Sequence, residues 1–127
     1  MSVSLNHTIV FSEDKAVSAA FFADVFGLPK PKPFGPFLQV ETANGVGMDF
    51  MTRPAPVAGQ HYAFLVSEAE FDAIFARVRS RGLTYWADPH QTQPNAINAH
   101  DGGRGVYFPD PSGHLLEILT VPYGGQR

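Results

Sequence analysis

The chain of 127 residues contains no cysteine. A disulfide and a thiolate nucleophile are therefore both excluded, and a bound metal has only nitrogen and oxygen ligands available. Cationic residues are scarce: nine Lys and Arg stand against twelve Asp and Glu, a formal charge of -3. That balance lacks the broad basic footprint of a nucleic-acid binder, so no nucleic-acid partner is expected. The apolar runs in the sequence fall far short of the roughly 20 residues of a membrane span, so no membrane partner is expected either. The opening MSVSLNHTIVF has neither the basic start nor the apolar core of a signal peptide, which makes a cytoplasmic location the expectation. What the chain does have is 44% hydrophobic and 13% aromatic residues, enough to build a real core within one folded unit.

Leu5 to Phe11 reads as a strand, with His7 and Ile9 on one face. Ser12 is the expected N-cap of a helix running to about Phe26, with Val17, Phe21, Phe22 and Val25 as its apolar stripe and Gly27 as its stop. Four prolines between Leu28 and Pro36 limit that stretch to a loop with at most a short edge strand. A hairpin around Asn44-Gly45 follows, pairing Phe37 to Glu41 with Val46 to Met51 and carrying Asp49 in its second strand. Residues 53 to 60, RPAPVAGQ, read as a linker between residues 1–52 and 61–123.

The second half starts with the strand His61 to Val66. Ser67-Glu68-Ala69-Glu70 then forms a capping-box pattern, followed by Phe71, Ile74, Phe75 and Val78 at helical spacing. Leu83 to Ala87, with Trp86, is expected as a short strand. Asp88 to Asp101 is a polar loop of a length more typical of a lid, a binding loop or a mobile segment than of a plain connection. A second hairpin closes the chain, turning at Asp110-Pro111-Ser112-Gly113. Its last strand holds Glu117 between Leu116 and Ile118, and a buried carboxylate needs a partner.

The halves repeat. Ser12-Glu13 and Ser67-Glu68 stand at equal offsets from Gly27-Leu28 and Gly82-Leu83, and Asp49 and Glu117 each lie four residues beyond the turn glycines Gly45 and Gly113. His7 precedes its serine by five residues and His61 by six, a slip that the strand-to-helix turn must absorb if both imidazoles are to share a face with the carboxylates. For a single histidine, the ordinary reading is a half-buried, hydrogen-bonded side chain. For Glu117, it is an ion pair such as one with Arg104.

With these modules, the helix ending FADVFGL and above all FPDPSGHLLEI, the chain resembles the vicinal oxygen chelate superfamily, which spans glyoxalases, bleomycin-resistance proteins and extradiol dioxygenases. The resemblance implies an α+β fold of two tandem βαβββ modules, whose mixed sheets form an open cup around a divalent metal, and a homodimer. By position it implies His7, His61 and Glu117 as metal ligands with Asp49 as a fourth. The metal would be Zn, Fe, Mn, Ni or Co, which nitrogen and oxygen donors suit. Glu117 or Asp49, released from the metal, would be the catalytic base. Leu65, Leu115, Leu119, Trp86 and His100 are the expected pocket residues for a small-molecule substrate or ligand.

The leading expectation is a glyoxalase-like, metal-dependent lyase or isomerase acting on a substrate with adjacent oxygens. The alternative is a metal-free binding protein of the bleomycin-resistance kind. An extradiol-type dioxygenase is the third and weakest.

Overall fold

Strand β1 (His7–Ser12) lies parallel to β4 (Gly47–Thr52), which pairs antiparallel with β3 (Phe37–Glu41), and β3 in turn pairs with β2 (Lys32–Phe34) at the edge. Parallel neighbours need a long crossover, and helix α1 (Lys15–Phe26) supplies it. Pro33 sits in β2, where an edge position tolerates a residue with no N–H to donate. The computed structural model describes residues 2–125, which divide between Ala58 and Gly59 into two units.

The start of α1 differs from expectation. Ser12 ends β1 instead of capping the helix. The cap is Asp14, whose carboxylate accepts from the Ala16 and Val17 N–H groups. An N-cap side chain must reach the free amides of the first turn, and β1 runs long enough to put Asp14 there. Val17 faces outward, while Ser18, Ala19, Phe21, Phe22, Ala23 and Val25 are buried. Small residues at Ser18, Ala19 and Ala23 let α1 settle closely on the sheet, a face that a stripe of large side chains alone does not describe.

In the second unit β5 (His61–Leu65) runs parallel to β7 (Leu115–Leu119), and β6 (Gly105–Pro109) pairs antiparallel with β7. Helix α2 (Glu68–Ser80) carries the full capping box: Ser67 Oγ accepts from the Glu70 N–H and Glu70 Oε1 accepts from the Ser67 N–H. The expected strand at Leu83 to Ala87 reduces to one residue, Trp86, which bridges to Tyr107 and to Pro94. Trp86 exchanges both backbone hydrogen bonds with Tyr107, but Tyr85 O and Ala87 N bond into the following loop, to Asn95 N and Gln93 O. The fold is thus α+β with two βαβββ-like modules and two mixed sheets.

The loop after Trp86 is pinned rather than free-running. Asp88 accepts from the Thr92 amide and hydroxyl and the Gln93 amide, Asn98 bridges to Gly105, and a short 3-10 turn spans His100–Gly102. Val10, Phe22, Val40 and Phe50 form the buried core of the first sheet, and Phe71, Val78, Val106, Phe108 and Ile118 that of the second. No helix among the described residues is long and apolar enough to cross a membrane.

Candidate metal centre

Strand register gives the two units the same arrangement. In the first, His7 is opposite Gly47, and Asp49, two residues along β4, is flanked by Ile9 on β1 and Gln39 on β3. In the second, His61 is opposite Leu115, and Glu117, two residues along β7, is flanked by Ala63 on β5 and Tyr107 on β6. Residues two apart on a strand share a face, so each histidine and its carboxylate point to the same side of their sheet. The one-residue slip runs the other way from the one counted from Ser12, and it lies in the strand and not in the turn. His7 stands seven residues before its cap Asp14 and His61 six before Ser67, because β1 is one residue longer than β5 while a single residue, Glu13 or Val66, joins each strand to its cap.

Glu117 is 1% exposed and His61 46%, with Nε2 of His61 3.0 Å from Oε1 of Glu117. The other ring nitrogen, Nδ1, lies 3.0 Å from the Leu115 carbonyl oxygen. A carbonyl only accepts, so Nδ1 donates to it, and Nε2 faces the carboxylate oxygen either as a donor of the imidazolium or with the lone pair of the neutral ring. Two lone pairs facing each other need a cation or a proton between them. A metal-ligating histidine commonly has this second contact to a backbone carbonyl. Two donors bonded to one ion at about 2.1 Å and a right angle are about 3 Å apart, so the pair fits adjacent ligands of a divalent metal. Arg104, the ordinary candidate partner for Glu117, pairs instead with Glu68 and Asp72 on α2.

Two tyrosines complete this cluster, and neither was legible as a site residue. Tyr123 donates its hydroxyl proton to Oε2 of Glu117, and its oxygen lies 2.8 Å from the Tyr107 hydroxyl. Desolvation, followed by the hydrogen bonds to Glu117 and Tyr107, pushes the Tyr123 phenol well above its ordinary range. Desolvation also raises Tyr107, which stacks on His61 with ring centroids 5.8 Å apart. Tyr107 sits directly opposite Glu117 on β6, a position that register would have flagged once the pairing was known. Tyr123 follows β7 in an irregular segment where no periodicity points to it.

In the first unit Asp49 is 2% exposed, and Oδ1 accepts from Gln39 Nε2 at 2.8 Å. His7 Nδ1 lies 2.7 Å from Asn6 Oδ1, an acceptor, so Nδ1 donates to it. His7, Gln39, Gly47 and Asp49, together with Asn6, Phe34 and Glu41, line a cavity of about 200 Å3. Gly47 makes this grouping possible: a Cβ there would lie 2.8 Å from Gln39 Nε2, 3.2 Å from Asp49 Oδ1 and 3.3 Å from His7 Cβ. Among the described residues, no group of three or more His, Asp or Glu side chains is gathered into a set able to hold a metal ion. Each unit supplies one imidazole and one carboxylate.

Of the expected pocket residues, Leu65, Leu115 and Leu119 share the His61 face by register, and Trp86, paired with Tyr107, shares the Glu117 face. Leu65 is 62% exposed there, and His100 is exposed in the 3-10 turn. His114 lies on the opposite side, buried edge-on against Tyr62, with Nδ1 accepting from the Gln60 N–H.

The family described as Glyoxalase/Bleomycin resistance protein/Dioxygenase superfamily matches residues 4–118. The chain belongs to this superfamily. Among its members of known structure, Oxidase ChaP-H1 is 60% identical, with 98% of this chain and 100% of that chain covered and a TM-score of 0.95. Oxidase ChaP-H2 is 56% identical with both chains covered completely and a TM-score of 0.96. The Metallothiol transferase FosB of Shouchella clausii (strain KSM-K16) is 30% identical over 124 residues, covering 91% of this chain and 79% of that protein. Superfamily members are often metal-dependent, and the donors of both units match that habit.

Proposed function

We propose that this protein is a metal-dependent oxidase acting on a small molecule that presents two adjacent oxygens. The observation carrying this reading is the full-length similarity to Oxidase ChaP-H1 at 60% identity. It moves the expectation from a lyase or isomerase toward oxidative chemistry, with dioxygen as the electron acceptor. His7, His61 and Glu117 are the proposed ligands, and Asp49 is the fourth ligand or the base. A bound divalent ion would supply Lewis-acid polarisation of the two substrate oxygens and, if it is Fe or Mn, a route for electrons.

The chain's own groups have separable tasks. The Leu115 carbonyl holds the His61 ring so that Nε2 faces Glu117. Asp49, whose Oδ1 accepts from Gln39, is the proposed group to take a proton from a substrate hydroxyl. Leu65, Leu115, Leu119 and Trp86 give the ligand an apolar wall, and the exposed Ile9, Phe34 and Leu65 support a homodimer covering these faces.

Metal analysis of dialysed protein, coupled to oxygen uptake with ortho-dihydroxy aromatics, tests the reading. A bound divalent ion that is lost in His61→Ala and Glu117→Ala, with turnover that stops without oxygen, is expected. Turnover that persists under anaerobic conditions would overturn the oxidase in favour of a lyase or isomerase. Failure to bind metal at micromolar concentration would leave a metal-free binding protein.

A further inference from the structure

We infer that Tyr123 is a positioning residue that limits Glu117 to one coordinating oxygen, Oε1; this rests on the metal reading proposed above. A free carboxylate can offer a metal either one oxygen or both. Here the two oxygens have different duties. Oε1 faces His61 Nε2 at 3.0 Å, and Oε2 accepts the Tyr123 hydroxyl proton. A charge-assisted O–H to carboxylate bond is among the stronger hydrogen bonds a protein makes, so Oε2 is held away from the metal side.

The direction of the tyrosine pair follows from proton count. Tyr123 has one hydroxyl proton and gives it to Glu117, so the 2.8 Å contact with Tyr107 is a bond that Tyr107 donates. Donation from Tyr107 polarises the Tyr123 hydroxyl and strengthens its hold on Oε2.

The first unit shows the same device built differently. Asp49 Oδ1 is held by Gln39, the residue directly across on β3. The equivalent position beside Glu117 is Tyr107, whose hydroxyl interacts with both Tyr123 and the carboxylate. The donor to Oε2 itself comes from the segment beyond β7. That segment is folded back by the Gly125 N–H donating to Pro122 O at 2.9 Å and the Gly124 N–H donating to Asp101 Oδ2 at 3.2 Å. Tyr123 is 61% exposed, so its ring adds little to the core and its hydroxyl is the part with a task.

The test uses full-length protein loaded with Co(II), comparing the unmodified chain with Tyr123→Phe and Tyr107→Phe. In Tyr123→Phe, Oε2 is released, the infrared splitting between the carboxylate stretches narrows, the Co(II) visible spectrum changes, and the Co(II) dissociation constant rises about 10-fold. Tyr107→Phe leaves the Tyr123 to Glu117 bond in place but removes the group that polarises it, and is expected to shift the infrared and visible signatures in the same direction by clearly less than Tyr123→Phe does. Identical spectra for Tyr123→Phe and the unmodified protein would overturn the inference while leaving the metal reading intact. So would an equal change in both variants, which indicates general loosening. If the unmodified protein binds no Co(II), the metal reading falls and this inference falls with it.

Discussion

Glu117 is surrounded by groups that each require something of its charge. His61 Nε2 lies 3.0 Å from one carboxylate oxygen, Tyr123 gives a proton to the other, and 1% exposure leaves almost no water to compensate either. Replacement by Gln offers an amide N–H to His61 and a carbonyl to Tyr123, so Glu117→Gln is expected to keep its metal-free stability within about 1 kcal/mol and lose metal binding. Glu117→Ala removes one hydrogen bond from each of the two partners and opens a hole, at a cost of about 2 to 3 kcal/mol by denaturant titration. Gly47 makes a matching case in the first unit. Gly47→Ala would push the Gln39 amide off Asp49, with metal affinity falling in calorimetric titration while stability changes by no more than about 1 kcal/mol. Leu115 carries a side chain at the equivalent position, so the demand for glycine comes from this cluster and not from the fold. Residues such as Glu117 were legible because they violate an apolar pattern. Tyr123 violates none and was not.

Among the elements, the two helix starts show where local sequence decides and where it misleads. Ser67 and Glu70 satisfy each other's backbone amides, and the signal for it, Ser-x-x-Glu before an apolar stripe, is complete within four residues. Ser12-Glu13 imitates half of that signal, but β1 runs through Ser12, one residue longer than β5, and the capping role passes to Asp14. Ser67→Ala and Asp14→Ala should each cost about 1 kcal/mol. Ser12→Ala should be neutral or slightly stabilising, since its buried hydroxyl has no hydrogen-bond partner among the described residues. The bonds from the Ser67 backbone and hydroxyl hold the Glu70 carboxyl below its ordinary value. That contribution is complete above the unfolded value near 4.5 and is lost as pH falls through the lower folded value, so Glu70→Gln should flatten the acid side of the stability profile. Trp86 is the converse. An apolar run predicted a strand, but only one residue kept the ladder because its neighbours' backbone groups bond into the loop.

For the molecule as a whole, the repeat was readable from spacing, while the equivalence that matters for chemistry is one of register. His7 and Asp49 stand in the same relation across β1 and β4 as His61 and Glu117 across β5 and β7. Helix starts shifted by one residue hide this in the sequence, because the face of a strand is fixed by its partner and not by the distance to the next cap. The proposal that both pairs serve a single ion has a thermodynamic signature. A ligand present at about 100 times its dissociation constant stabilises the folded chain by about 2.7 kcal/mol. If one ion needs both imidazoles, His7→Ala and His61→Ala each remove nearly all of that increment, and the double variant loses no more than either single one. Two ions held separately would give two partial losses that add. Thermal unfolding of the three variants with and without Co(II) distinguishes these cases, and additive losses would break the single-ion proposal while leaving each His and carboxylate pair as a site of its own.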